Sequence, residues 1–275
     1  MDQRVIVITG ASDGIGAEAA RTLHARGHSV VVVGRSPKKT ELVARSIGVP
    51  FYVADFAILG EVRQLASDLR RDLARIDVLA NNAGGIFAKR ELTVDGHEKT
   101  MQVNYLAPFL LTHELMDVLI ASRASVLNTS SIAAKVFSRF DINDLEVAKD
   151  YSARVAYGNA KLENILFTLE LQTRFHDQGI STAAFHPGNV ATNFANDTNS
   201  LMRYVYRTPL RKLFLVSTAK GADNLIWLAN GTPGKDWQSG KYYIKHSISN
   251  SLDRQALDPE ISRLLWERSL AFVGA

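Results

Sequence analysis

The chain reads as an α/β protein built on one doubly wound parallel sheet of about seven strands flanked by helices. Three observations lead there. Short apolar, β-branched runs such as Val5-Ile6-Val7-Ile8 and Ser29-Val30-Val31-Val32-Val33 recur along the chain, the mark of strands covered on both faces. Helical segments separate these runs, which makes successive strands parallel and their crossovers right-handed. The 275 residues, 46% of them hydrophobic, contain no internal repeat, low-complexity run or linker, so a single domain over 1–275 is expected.

The first strand ends in Thr9-Gly10-Ala11-Ser12-Asp13-Gly14-Ile15-Gly16 and passes into a helix from Ala17 to Arg26, stopped by Gly27. The second strand, 29–33, completes a βαβ unit of Rossmann-like type. Glycines at such a turn tighten it, let backbone approach a phosphate, and let helix pack closely on strand. The helix N-terminus then offers free N–H groups and a positive dipole end to a pyrophosphate. Gly10, Ser12, Asp13, Gly14, Ile15 and Gly16 are therefore candidate dinucleotide ligands; the alternative is a glycine-rich turn that binds nothing. An acid near the end of the second strand would take the ribose 2′-hydroxyl of NAD, whereas an arginine accommodates a 2′-phosphate. Gly34 stands where the acid would be and Arg35 follows it, which favours NADP(H) over NAD(H). The alternative is a solvated loop arginine, and Asp13 has the wrong sign to help.

The alternation continues with a strand at 51–55, a helix at 60–73 and a strand at 77–81. A helix over 94–121 follows, bent at Pro108, then a strand at 125–129, a helix at 157–176 and a strand at 181–185. A helix at 219–229, a strand at 241–244 and a helix at 259–270 finish the chain. Asp55, Asn81 to Gly84, Ser130-Ser131 and His186-Pro187-Gly188 then all fall on the carboxyl edge of the sheet. Tyr157 and Lys161, four residues apart at the start of a helix, share one face, with Cβ atoms about 5–6 Å apart. A phenol titrates near about 10 and is a poor acid or base at neutral pH. A neighbouring ammonium favours the phenolate and brings it toward the working range, so the pair is a candidate acid–base device.

Composition narrows the chemistry. There is no cysteine, hence no disulfide, thiol nucleophile or cysteine-ligated metal. The net charge of +4 is spread along the chain, which disfavours nucleic acid and suits an anionic small ligand. Met1-Asp2-Gln3-Arg4 leads directly into the first strand and no run of 18 apolar residues occurs, so a cytoplasmic protein is expected. His24 and His28 read as solvated helix-end residues rather than metal ligands. His186 reads as a neighbour of the site without an acid–base role. The segment 194–217 mixes apolar and basic residues around Pro209. That composition suits contact with a membrane surface. Leucine-rich faces on the helices carrying His113 and Lys161 suit either core or the interface of a homodimer or homotetramer.

The ordered series Thr9, Gly10, Gly14, Ile15 and Gly16, then Asp55, Asn81-Asn82-Ala83-Gly84, Asn104, Ser131, Tyr157 with Lys161, and Pro187-Gly188 with Thr192 resembles the short-chain dehydrogenase/reductase family in its single-domain branch. The resemblance covers nearly the whole chain. Phe109-Leu110-Leu111-Thr112, the long gap between Ser131 and Tyr157, and Asn164-Ile165-Leu166-Phe167 resemble its retinol-dehydrogenase-like members. Unlike membrane-anchored members, the sequence shows no N-terminal hydrophobic anchor. The resemblance implies hydride transfer between NADP(H) and a carbonyl or alcohol of an apolar small molecule. Tyr157 would be general acid or base, Lys161 would tune it and bind the nicotinamide ribose, and Ser131 would donate to the substrate oxygen. Asn104 would either hold a water that relays protons from Lys161 or close a helix kink as a buried polar residue. For the cofactor, the resemblance implies phosphate contacts from Ser12 to Ile15, an adenine contact from Asp55 with Phe56 beside it, and passage of Asn82, Ala83 and Gly84 under the adenine ribose. Pro187, Gly188 and Thr192 would hold the carboxamide and present the pro-S face. At 194–217 the resemblance implies a lid over an apolar substrate, the favoured reading there over membrane contact. A non-catalytic NADP(H)-binding sensor or scaffold protein is the alternative, and a sugar-nucleotide epimerase of the extended branch comes third.

Overall fold

A computed structural model describes residues 3–188, 218–249, 252 and 254–275; the expected lid at 194–217 and Thr192 lie outside the described residues. The apolar runs form β1 (Val5–Ile8), β2 (Ser29–Gly34), β3 (Phe51–Val53), β4 (Val78–Asn81), β5 (Ser125–Thr129), β6 (Ser181–His186) and β7 (Lys241–Ile244). These seven are parallel, and a two-residue β8 (Ser247–Ile248) returns antiparallel to β7. The sheet order is β3-β2-β1-β4-β5-β6-β7-β8, one strand more than expected. Nothing in the sequence announces β8. Its turn residues Lys245 and His246 take left-handed backbone (φ 49° and 60°) without the glycine or asparagine that normally signals such a hairpin.

The helices are α1 (Gly14–Ala25), α2 (Pro37–Ile47), α3 (Leu59–Asp72), α4 (Lys99–Met101), α5 (Ala107–Glu114), α6 (Met116–Ala121), α7 (Ala133–Val136), α8 (Ala153–Phe175), α9 (Thr218–Asn230) and α10 (Pro259–Val273). One face of the sheet is covered by α1, α2 and α9, whose Leu23, Val43 and Leu225 meet Ile6, Val30 and Phe185. The other face carries α3, α5, α8 and α10 over Val7, Leu79 and Val126. Chain order reverses between β1 and β4, so the loops after these two strands diverge and open the crevice where such folds bind ligands.

Several element boundaries depart from expectation for identifiable reasons. Helix α2 was not anticipated, although Pro37 at its first position, Ser36 as its cap and Gly48 in left-handed conformation are ordinary start and stop signals. Helix α8 begins at Ala153, one turn before Tyr157. The helix expected over 94–121 starts only at Lys99 and contains a π turn at Gln102–Leu106. Pro108 has no N–H to return to the carbonyl four residues earlier. That carbonyl, on Asn104, instead accepts from Asn164 Nδ2 at 2.9 Å.

The apolar faces of α5 and α8 are core. The C-terminal α10 lies across them, with Trp266 at 5.0 Å from Phe109 and 5.8 Å from Phe175 between ring centroids. Tyr105 and Ser269 hydroxyls pair at 2.6 Å, and Ser262 Oγ donates to Glu170 Oε2 at 3.1 Å. Trp266→Ala should therefore leave a cavity under α10 and cost about 3–5 kcal/mol, read as a lowered urea midpoint with an unchanged slope.

Candidate active site

The crevice is assembled by interlocking the loops after β1 and β4. Thr9, fully buried at the end of β1, accepts on its Oγ1 from the N–H groups of Asn82 and Ala83, each at 3.0 Å, and donates to the Ala80 carbonyl at 3.2 Å. Asn82 Nδ2 returns a bond to the Thr9 carbonyl at 3.0 Å. Gly10 sits at φ 65°, and a side chain there would come within 2.7 Å of Ala83 Cα. A Cβ on Gly16 would lie 2.5 Å from the Gly10 carbonyl. Both glycines thus serve close packing of loop on loop and helix on loop. The opening residues of α1, from Gly14, keep N–H groups without intrahelical acceptors, a donor set that fits a dinucleotide phosphate.

At the end of β2 a side chain on Gly34 would collide with Thr40 Oγ1 at 2.5 Å and Ser12 Cβ at 2.7 Å. The position expected to hold an acid in an NAD-binding fold therefore has no room for one. Arg35 beyond it is exposed. Asp13 is engaged by Lys39 at 3.2 Å, which balances its charge. Asp55, partly exposed after β3, accepts from the Ala57 N–H at 3.0 Å, while Phe56 turns into the core at 4% exposure.

The second half of the site hangs on α8. Lys161 is 2% exposed, donates from Nζ to the Thr129 carbonyl at 3.1 Å and lies 5.4 Å from the centre of the Tyr157 ring. Tyr157 and Lys161 thus meet at the carboxyl end of β5. Burial pushes the Lys161 ammonium down to about 7. Ser130 donates to the Lys161 carbonyl at 2.6 Å and is buried, so it ties β5 to α8. Ser131 faces the other way, partly exposed, and its Oγ accepts from the Ala133 N–H at 3.2 Å. That bond leaves the hydroxyl hydrogen of Ser131 for another acceptor.

Asn104 is enclosed in the π turn. Its amide donates to the Gly85 and Thr100 carbonyls, both at 2.8 Å, and its Oδ1 accepts from the Gly85 N–H at 3.1 Å. A Cβ on Gly84 would fall 2.5 Å from Asn104 Oδ1 and 3.3 Å from Lys161 Nζ. The loop after β4 therefore lies directly between the cofactor half and the lysine. Pro187 and Gly188 follow β6 on the same edge, with Gly188 at φ 88°.

A family model described as short chain dehydrogenase matches residues 4–202. The chain belongs to the short chain dehydrogenase family. It is 40% identical to a Streptomyces sp. (strain C5) protein named "Putative daunorubicin C-13 ketoreductase DnrU", over 98% of this chain and 93% of that one. Human retinol dehydrogenase 11 is 34% identical over 98% of this chain and 86% of its own. Among solved structures, an uncharacterised protein from Mycobacterium Paratuberculosis superposes with a TM-score of 0.79 at 30% identity, covering 99% and 94% of the two chains. As a short chain dehydrogenase, the protein is an NAD(P)-binding oxidoreductase acting on alcohol or carbonyl groups.

One histidine departs from expectation. His28 is buried at 4% exposure, accepting on Nδ1 from the Arg4 N–H at 3.3 Å and pairing through Nε2 with Asn230 at 3.0 Å. It is a structural tie between β1 and α9, not a solvated helix end. His186 is pushed down to about 4 by burial and stays uncharged at neutral pH. Among the described residues no cluster of three or more His, Asp or Glu side chains could hold a metal.

Behind the site lies a chain of buried polar groups in which Asn128 and Thr168, unmarked in the sequence, join Asn81 to Asn164. Asn81 Nδ2 donates to Thr112 and Asn128, Asn128 Nδ2 to Thr168, and Thr168 to the Asn164 carbonyl, all at 2.8–3.0 Å. Polar residues inside the otherwise apolar strands β4 and β5 were the available signal.

The lysine gives the site a pH signature. Between pH about 7 and its ordinary value near 10.5, Lys161 holds a proton in the unfolded chain but not in the folded one, so its contribution to stability rises with pH. Lys161→Met should accordingly be more stable than wild type at pH 6–7, with the gap closing toward pH 9. Thermal unfolding of the cofactor-free proteins across that range measures the gap.

Proposed function

We propose that the protein transfers hydride between NADP(H) and a carbonyl or alcohol of an apolar small molecule, with Tyr157 as general acid and base. The observation that carries this is the meeting of Tyr157, Lys161 and the Ser131 loop at the end of β5, held by the bonds of Lys161 Nζ to Thr129 and of Ser130 to Lys161. When bound, the nicotinamide supplies the hydride that adds to the carbonyl carbon. Ser131, which already accepts one bond from the Ala133 N–H, donates its hydrogen to the carbonyl oxygen and fixes its place. Tyr157 delivers a proton to the same oxygen, or removes it in the reverse direction. A lysine poised near neutrality supports the phenolate when charged and exchanges protons readily. Asn104 acts through the Gly84–Gly85 backbone, holding that loop against Lys161.

Three features support NADP(H): no room for an acid at Gly34, exposed Arg35 beside it, and the neutralised Asp13. The names of the ketoreductase and retinol dehydrogenase relatives support a ketone or alcohol as the reacting group. A cytoplasmic location belongs to the same reading; among the described residues no helix is long and apolar enough to cross a membrane. Among the described residues no contact in the site favours a non-catalytic sensor.

Tyr157→Phe should abolish turnover, monitored at 340 nm, while leaving NADPH affinity within about twofold, because only the proton donor is removed. Arg35→Asp should raise KM for NADPH by about tenfold or more and spare NADH, the loss expected of one charge-assisted phosphate contact. Equal effects on both cofactors would place the 2′-phosphate elsewhere.

A further inference from the structure

The residues between the tyrosine and the lysine of α8 do something the acid–base pair does not require. A Cβ on Gly158 would lie 2.7 Å from the Ser138 N, 2.8 Å from the Phe137 carbonyl carbon and 3.0 Å from the Ala133 oxygen. The chain after Ser131 therefore rests backbone-to-backbone on the turn of α8 that carries Tyr157. Asn159, 1% exposed, grips the same segment, accepting from the Arg139 N–H at 2.8 Å and donating to the Arg139 carbonyl at 3.4 Å. An asparagine facing one backbone unit with both its donor and its acceptor fixes that unit in position and orientation.

What this clamp displays is unusual for a surface. Ala133 and Ala134 are buried against α8, whereas Ile132, Val136 and Phe137 are 43%, 59% and 40% exposed. They begin at the residue after Ser131, and Arg154, from the first turn of α8, stands 5.8 Å over the Phe137 ring. These exposed apolar side chains follow closely on Ser131 in the chain, and a grouping of that kind marks a binding surface rather than chance exposure.

We propose that Gly158 and Asn159 are positioning residues for substrate selection, locking segment 133–139 onto α8 so that Ile132, Val136 and Phe137 form a wall for the apolar, preferably aromatic, body of the substrate. The proposal rests on the oxidoreductase reading for the identity of the occupant. The clamp itself is independent of turnover. A substrate too small to reach the wall is indifferent to it, so the wall sets KM for large carbonyl compounds.

The test uses the full chain and two variants. Asn159→Leu removes both clamp bonds, and Phe137→Ala trims an exposed wall residue without touching the core. Amide exchange should rise at 137–139 in Asn159→Leu and stay unchanged in the glycine loop. The affinity for 2-naphthol, a non-reacting aromatic probe read by its fluorescence on the NADP-saturated protein, should fall about tenfold in both variants, the value of one lost apolar contact. NADP affinity should hold within about twofold, and Asn159→Asp, which keeps the acceptor for the Arg139 N–H, should recover most of the probe binding. In turnover, KM of Phe137→Ala for 2-naphthaldehyde should rise with kcat kept, while propanal is unaffected. Unchanged exchange at 137–139 overturns the clamp. Unchanged naphthol affinity in Phe137→Ala, or no naphthol binding to wild type, overturns the wall. A clamp and wall that pass these binding tests in a chain that reduces no carbonyl would overturn the proposed function and leave the clamp and its aromatic binding wall standing without the role in substrate selection.

Discussion

The site depends on burying one amine beneath the end of β5. Lys161 sends its Nζ to the carbonyl of Thr129, while the hydroxyl of Ser130 returns to the carbonyl of Lys161. This reciprocal tie fixes α8 along the strand, because sliding it would leave buried polar groups unpaired. Tyr157 and the Ser131 loop inherit their placement from that one contact. The same burial drives the amine toward neutrality, so the fold gives up stability to hold a titratable group where chemistry needs it.

A second constraint lies behind the first. Asn81, Asn128, Thr168 and Asn164 carry hydrogen bonds from β4 through β5 into α8, and Asn164 ends on the carbonyl that Pro108 leaves unpaired. A missing N–H in one helix is thereby answered by an amide in another, and the π turn that holds Asn104 is stabilised from both sides. Buried amides that donate along such a chain are stiff and directional where apolar contacts would allow slippage. The loop at Gly84–Gly85 is held by this assembly and meets the glycine turn through Thr9 and Asn82, so the two halves of the site are mechanically one.

Much of this was legible in the chain. Continuous β-branched runs marked the parallel strands, because a strand covered on both faces cannot alternate with polar residues. The glycine turn and the tyrosine–lysine pair were visible because their spacing follows from helix and strand periods, whereas Ser131 stood out only through the family resemblance. Less legible were α2, whose cap signals were overlooked, and β8, whose turn carries none. His28 looked exposed at a helix end, yet it meets Asn230 from 202 residues away. Glu163 resembled any charged helix residue; in the fold both its oxygens are enclosed without partners, and burial with nearby Glu98 and Glu146 pushes its carboxyl well above the usual range.

By itself, then, the sequence determined the sheet, its carboxyl edge and the reactive groups gathered there, because those follow from local periodicity and chain-order topology. Only the tertiary structure decided that α10 covers the leucine-rich faces of α5 and α8, that Gly34 has no room for an acid, and that Asn159 holds the segment beside Ser131. Each of these is a contact between residues distant in the chain. Their pairing is set by packing and by hydrogen-bond satisfaction, neither of which leaves a periodic trace in the order of the amino acids.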